Sequence, residues 1–343
     1  MEDREMVLVT GGSGFVALHV IQQLLNRGYR VRATLRSITR KDEIIASLKN
    51  AGIIDFENLT FAEADLSADE GWNEAMKNID YVHHIASPIH LKLPKNEDEM
   101  IRPAVDGTLR VLGAARDAGV KRVVMTSNFG AVGYSHKDPT QLITEDSWTN
   151  PNEKGLSAYN KSKVLAERAA WDFIKNEGED LELTVINPTA ILGPSFSEKL
   201  SSGFELLKNI LDGTMKAIPN MELAIVDVRD LADLHIRAME TAAAKGQRFL
   251  ALSDGTMTLL QIAIFLKKEM PEISQKVSDK TIPDWQVRIA ALFSQKAKAI
   301  LPLIGVNRKA SNQKARQVLG WQPRAKEEAI ISTVESLRKF NQI

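Results

Sequence analysis

Met6-Val7-Leu8-Val9-Thr10-Gly11-Gly12-Ser13-Gly14-Phe15-Val16-Ala17 decides the fold. A continuous apolar run ends in a glycine cluster, and apolar residues then recur with helical spacing at Val16, Val20, Leu24 and Leu25. The order is strand, tight turn, helix. One glycine serves the turn, another lets the backbone approach a pyrophosphate, and a small residue lets helix and strand pack closely, as a dinucleotide-binding turn requires. Ser13, Gly14, Phe15 and Val16 open the helix, where free N–H groups and the positive end of the dipole suit a phosphate.

Outward from this segment the same rhythm repeats. Strands are expected at Arg30–Leu35, Leu59–Ala62, Tyr81–Ile85, Arg122–Thr126 and Leu183–Asn187, with helices such as Ile101–Ala118 and Lys161–Asn176 between them. Strand and helix in alternation predict an α/β fold with a doubly wound parallel sheet. After about Pro188 helices dominate, over Phe204–Asp212, Arg229–Ala243, Leu259–Glu269 and Trp285–Leu303, with short strands near Leu223–Val226 and Phe249–Leu252. Residues 1–190 are therefore expected to form the dinucleotide-binding domain, with a later strand between 223 and 252 returning to it. Residues 191–343 form mainly a smaller, helix-rich part that walls a cleft at the sheet's C-terminal edge.

Bulk composition narrows the partners. The 343 residues are 44% hydrophobic and 26% charged, with Lys+Arg and Asp+Glu both at 44 and a formal net charge of +0. No global field draws the chain to nucleic acid or an anionic membrane. Zero cysteines exclude disulfides, thiolate metal sites and a cysteine nucleophile. Met1-Glu2-Asp3-Arg4-Glu5 lacks the apolar region of a signal peptide, and no apolar run reaches membrane-spanning length, so the expected location is the cytoplasm.

The end of the second strand discriminates between nicotinamide cofactors: an acid there binds a free ribose 2′-OH, whereas an arginine accommodates a 2′-phosphate. The chain has Thr34-Leu35-Arg36-Ser37 followed by Arg40-Lys41. Arg36 is the expected fork for the phosphate, with Arg40 or Lys41 as a second charge, which selects NADP(H). Further along, Tyr159 and Lys163 stand four residues apart, so on a helix phenol and ammonium are neighbours. The cation is expected to lower the phenol's pKa and make it a proton donor.

These motifs, in this order, resemble the extended short-chain dehydrogenase/reductase superfamily, and within it the dihydroflavonol reductase-like and aldehyde (carbonyl) reductase branch. Gly11, Gly14 and Ala17 fit its phosphate turn, Asp65-Leu66 its adenine-side pair, and Ile85-Ala86-Ser87-Pro88 its cofactor-lining segment. Val105-Asp106-Gly107-Thr108 fits a helix turn beneath, and Tyr159 with Lys163 the YxxxK pair. Asn187-Pro188-Thr189 with Gly193-Pro194 resembles the loop over the nicotinamide. Val226–Ala232, Ser311 with Lys314-Ala315, and Leu319-Gly320-Trp321-Gln322-Pro323 read like the branch's C-terminal signatures.

The resemblance implies a Rossmann-like fold and NADPH-dependent reduction of an aldehyde, ketone or dicarbonyl. Tyr159 would protonate the oxygen, and Lys163 would tune it and hold the nicotinamide ribose. One position departs from the pattern: relatives continue the Val123–Ser127 strand into a second serine that bonds the carbonyl, and here Asn128 stands there. Its amide can donate to an oxygen but cannot pass a proton along, so Asn128 is expected to orient the carbonyl and Ser127 to be structural.

Two other readings share these motifs: a nucleotide-sugar epimerase or dehydratase with bound NAD, and a regulator that senses NADP without chemistry. Arg36 weighs against the first, and the intact Tyr159 and Lys163 against the second. His83 and His84 are adjacent on a strand and face opposite ways, so packing rather than metal binding is expected. No role is assigned to His90, His136 or His235, and Ser157 is expected to start a helix. Pocket walls are expected from Pro88–Leu93, Phe129–Tyr134, Ile191–Leu200 and the helices after Trp285. Met215, Trp285, Phe293 and Leu303 are expected in the core. The expected partner is a small carbonyl compound, and the chain is compatible with a monomer or a homodimer.

Overall fold

The computed structural model describes residues 5–88, 96–136, 138, 140–199 and 201–343. His90, Leu200 and the 89–93 stretch of an expected pocket wall lie outside the described residues. The first half contains strands β1 (Met6–Val9), β2 (Arg30–Leu35), β3 (Leu59–Glu63), β4 (Tyr81–His84), β5 (Arg122–Thr126) and β6 (Glu182–Pro188). Its helices are α1 (Phe15–Asn26), α2 (Lys41–Asn50), α3 (Trp72–Met76), α4 (Asp98–Asp117) and α5 (Ala158–Glu177). Then follow β7 (Ala190–Leu192), α6 (Ser202–Leu211), β8 (Ile218–Pro219), β9 (Glu222–Leu223), β10 (Ile225–Asp227) and α7 (Val228–Glu240). The chain closes with β11 (Arg248–Ala251), β12 (Met257–Thr258), α8 (Leu259–Glu269), β13 (Thr281–Ile282), α9 (Asp284–Ala290), α10 (Gln295–Ile300), α11 (Gln313–Leu319) and α12 (Lys326–Lys339).

Seven strands make one sheet in the order β11-β6-β5-β4-β1-β2-β3, with every neighbouring pair parallel. The order reverses between β1 and β4, the switch point at which a doubly wound sheet opens a crevice. The continuous apolar run of β1 follows from burial on both faces. Val7 and Val9 enter the core shared with α1, α2 and α7, while Met6 and Leu8 enter the core shared with α3, α4 and α5. A third core, built on Phe204, Leu207, Ile262, Leu266, Ile330 and Val334, belongs to the later helices. Phe15 joins it to the phosphate turn through an edge-to-face contact with Phe204 at 5.3 Å.

The late strand that returns to the sheet is β11, which pairs with β6. The single strand expected at Leu223–Val226 is two: β9 pairs antiparallel with β12, and β10 pairs parallel with β7. The helix expected over Trp285–Leu303 is also divided. Ser294 accepts a hydrogen bond from the Ala297 amide and starts α10 afresh, a local cap that competes with helix continuation. Met215 and Leu303 pack on the third core as expected. Trp285 and Phe293, by contrast, are 60% and 87% exposed, because α9 buries only Val287.

The C-terminal signatures act as a latch on α7. Asp227 caps it by accepting from the Arg229 amide at 2.8 Å. Trp321 Nε1 donates to the Asp230 carbonyl at 2.9 Å, and the Arg324 amide to the Asp230 carboxylate at 2.7 Å. Among the described residues no helix is long and apolar enough to cross a membrane.

Four buried histidines make the fold acid-sensitive. Burial lowers His19 and His84 to about 4, His235 to about 3, and His83 well below the ordinary value. These imidazoles stay neutral in the fold but take protons near 6.5 in the unfolded chain. The unfolded state thus binds more protons below that pH. Stability should be full above about pH 6.5 and fall steadily towards pH 4. Thermal melts at stepped pH should show the decline, flattened by about one proton's worth in His19→Gln; parallel wild-type and variant curves would contradict this.

Candidate active site

The glycine turn, Arg36, Asp65-Leu66, Ile85–Ser87 and Asn128 each follow the C-terminal end of a strand, whereas Tyr159 and Lys163 stand on α5. After β1, Gly11 has φ +67°, and a Cβ on it would lie 3.0 Å from the Ala86 Cβ, so a side chain would meet both strain and crowding. The turn is stitched to its neighbours by Thr10. Its hydroxyl accepts from the amides of Ile85 and Ala86 at 3.0 and 2.9 Å and contacts His84 Nδ1 at 3.1 Å. Ser13 to Val16 open α1, with Gly14 at its cap. Such a cradle of backbone, held open by the absence of side chains, fits a pyrophosphate.

Beyond β2, Arg36 is exposed and has no hydrogen bond or ion pair among the described residues. Arg40 is engaged by Glu43 at 3.0 Å, which leaves Lys41, exposed at the start of α2, as the second charge. Asp65 follows β3, and one carboxylate oxygen accepts from Ser67 at 2.9 Å. Leu66 rests on α4, where a Cβ on Gly107 would come within 3.0 Å of it.

Tyr159 and Lys163 lie in the first turns of α5, which Ser157 caps by accepting from the Asn160 amide at 3.2 Å. Lys163 is 9% exposed; its Nζ donates to Ser87 Oγ at 2.6 Å and lies 5.4 Å from the Tyr159 ring centroid. A cavity under Lys163 is lined by Leu66, His84, Ser87, Thr108 and Ser127 among others. Burial brings the Lys163 ammonium down to about 8. Tyr159 is 43% exposed as a residue, yet its phenol is pushed up to about 12 by burial and by neighbouring Tyr134. The expected lowering by Lys163 is thus reversed, because the ammonium is held by Ser87 rather than at the phenol, and burial disfavours either charge.

At the end of β5, Ser127 points inward and is 5% exposed. Asn128 Oδ1 accepts from the Gly130 amide at 2.7 Å, so this oxygen is spent on capping a short turn. The backbone donor fixes the amide's orientation and leaves Nδ2 as a free donor among the described residues. Pro188 ends β6 and is buried, and the following Thr189 amide donates to the Ala251 carbonyl at 3.1 Å. Of the histidines, His83 packs edge-on against His235 at 5.5 Å, and His84 lines the cavity. No group of metal-binding side chains occurs among the described residues.

A sequence model described as the NAD dependent epimerase/dehydratase family matches residues 7–251, which ends with the last strand of the main sheet. The chain belongs to that family. Among relatives, a cinnamoyl-CoA reductase of Petunia hybrida is 35% identical over 302 residues, 86% of each chain. Solved structures of the same shape include Gre2 of Candida albicans in complex with NADPH, at 28% identity and TM-score 0.80. Another is a yeast methylglyoxal/isovaleraldehyde reductase Gre2 complexed with NADPH, at 25% identity and TM-score 0.80. Both cover 98% of this chain and 99% of theirs.

Within this family member, sequence reasoning missed the group that ties α5 to the sheet. Glu167, one turn beyond Lys163, is fully buried. Its carboxylate accepts from Arg248 Nε at 2.6 Å, Ser127 Oγ at 2.5 Å and Asn187 Nδ2 at 2.7 Å. Arg248 in turn stacks on Trp148, 3.7 Å from ring centroid to guanidinium carbon, and donates to the carbonyls of Glu145 and Ser147. The one available signal was a glutamate one turn beyond Lys163, on the helix face that carries Val164, Ala170 and Phe173. Glu167→Ala should cost about 3–5 kcal/mol in urea unfolding, since it strands a buried guanidinium, and Glu167→Gln less. A loss below about 1 kcal/mol for the alanine variant would refute the tether.

Proposed function

We propose that the chain is an NADPH-dependent reductase that converts an aldehyde, ketone or dicarbonyl to the alcohol. The reading rests above all on one arrangement: Tyr159 and buried Lys163 share the sheet edge with the glycine turn and with Arg36, which is exposed and forms no ion pair among the described residues. The relatives' own names, which are those of reductases, support it. On this reading the turn from Gly11 to Val16 holds the pyrophosphate, and Arg36 with Lys41 holds the 2′-phosphate. Asp65 and Leu66 flank the adenine; Ile85, Ala86 and Ser87 line one side of the nicotinamide half, Pro188 and Thr189 the other. Bound there, NADPH supplies the hydride that a carbonyl carbon accepts. The later helices, 191–343, wall the carbonyl's side of the cleft.

Tyr159 supplies the proton to the carbonyl oxygen. A phenol pushed up to about 12 remains loaded at any working pH, and it is still a stronger acid than the alcohol being formed, so the transfer runs downhill. The Lys163 cation, held by Ser87 and 5.4 Å from the phenol's ring centroid, would hold the nicotinamide ribose, so that the acid and the hydride donor keep one geometry. Asn128 Nδ2 is the donor that orients the oxygen.

Tyr159→Phe should fold normally and lose roughly 10²–10⁴-fold in turnover of NADPH with reactive aldehydes, followed by nicotinamide absorbance. Retention of a large part of that rate would remove Tyr159 from the chemistry. Arg36→Ala should raise KM for NADPH roughly 10–100-fold, the loss of a charge-assisted fork, and leave NADH nearly unchanged. Equal effects on both cofactors would place the 2′-phosphate elsewhere.

A further inference from the structure

Among the described residues three arginines are more than nine-tenths buried, and two are paired with carboxylates. Arg122 is 6% exposed and meets Glu182 at 2.6 Å, and Arg248 is 8% exposed and meets Glu167 at 2.6 Å. Arg308, also 8% exposed, has no carboxylate, carbonyl or hydroxyl partner among the described residues, and its Nε is buried without a hydrogen bond. A buried guanidinium without an acceptor is costly, so such groups are normally satisfied. What surrounds it is aromatic: the guanidinium carbon lies 4.5 Å from the Tyr134 ring centroid and 5.7 Å from that of Phe129. Ring faces stabilise a cation while leaving its in-plane N–H groups unspent.

These neighbours belong to the candidate active site. Phe129 directly follows Asn128, and a Cβ on Gly130 would fall 2.4 Å from Oδ1 of Asn160, the residue after Tyr159. Tyr134, whose ring centroid lies 6.4 Å from that of Phe129, is close enough to Tyr159 to help burial hold its phenol up. Arg308 is held firmly there. Asn307 Nδ2 donates to the carbonyls of Asp138 and Gln141, both at 2.9 Å. The Ile143 amide donates to the Lys309 carbonyl at 2.9 Å, and the Ser311 amide to the Ile143 carbonyl at 2.9 Å.

We propose that Arg308 is a specificity residue, which receives an oxyanion on the substrate, so that the preferred carbonyl compounds carry a carboxylate or phosphate near the reducible group. The proposal rests on the reductase reading and deepens it. The chemistry is unchanged: the carbonyl gains a hydride and the Tyr159 proton, and the oxyanion passes through unaltered. Arg308 holds that anion in its fork, while Tyr134 and Phe129 pack beside the guanidinium and restrict its movement.

The test compares matched substrates: 2-oxobutanoate against 2-butanone, and dihydroxyacetone phosphate against dihydroxyacetone. Wild-type protein should favour one charged member in kcat/KM, and which pair shows the preference tells carboxylate from phosphate. Arg308→Gln should lower that charged-to-neutral ratio roughly 10–100-fold, with Arg308→Lys between, as expected for loss of a charge-assisted pair. Oxalate and inorganic phosphate, titrated calorimetrically without NADPH, give a readout independent of turnover; wild type should bind one and Arg308→Gln should not. A wild-type protein with no preference for either charged member overturns the proposal, even if Arg308→Gln fails to fold. An unchanged ratio in a folded Arg308→Gln overturns it too. If no carbonyl is reduced but anion binding is still lost in the variant, the reductase reading fails and the Arg308 anion site stands.

Discussion

The site depends on one buried carboxylate. Glu167 lies out of contact with water, and of its four donors three come from different strands, Arg248 on β11, Ser127 after β5 and Asn187 on β6, while Trp171 donates from the next turn of α5. A carboxylate can accept several hydrogen bonds at once, and in a low-dielectric interior each is strong and directional. Because Tyr159 and Lys163 share the helix with Glu167, their distance from the strand ends is set by this network. The apolar contacts of α5, which are non-directional, would tolerate sliding; the ion pair does not.

The phosphate turn obeys the same logic with smaller groups. Thr10 binds the start of the turn to the amides after β4, and Gly11 yields its side-chain space to Ala86. The crevice at the switch point is therefore built from backbone on both sides. Phe15 then carries the turn's position into the later helices through Phe204, so the two halves meet at the cofactor side rather than through a linker.

Charge placement separates scaffold from site. Arg122, Arg248 and Arg324 are consumed by carboxylates inside the fold. Among the described residues Arg36 and Arg308 are not: one is exposed beyond β2, and the other is buried with its guanidinium 4.5 Å from the Tyr134 ring centroid. Lys163 lies between these classes: buried, lowered to about 8, and held by a single hydroxyl. A buried cation without an acceptor marks a position where a ligand's charge would be welcome.

By itself the sequence determined what local pattern can encode. Short segments of strand-forming residues bounded by turn residues specified the strands Arg30–Leu35 and Arg122–Thr126 to the residue, and 3.6-residue periodicity did the same for the helix Leu259–Glu269. The glycine turn, Arg36 and the Tyr159–Lys163 spacing were legible for the same reason: each motif is complete within a few residues. The tertiary structure alone decided whatever joins distant segments. It set the partnership of Glu167 with Arg248, 81 residues away, and the exposure of Trp285. It also set the phenol's upward rather than downward shift and the isolation of Arg308. A pKa and a buried charge depend on which side chains converge in space and how much water they exclude, and no spacing along a single segment carries that information.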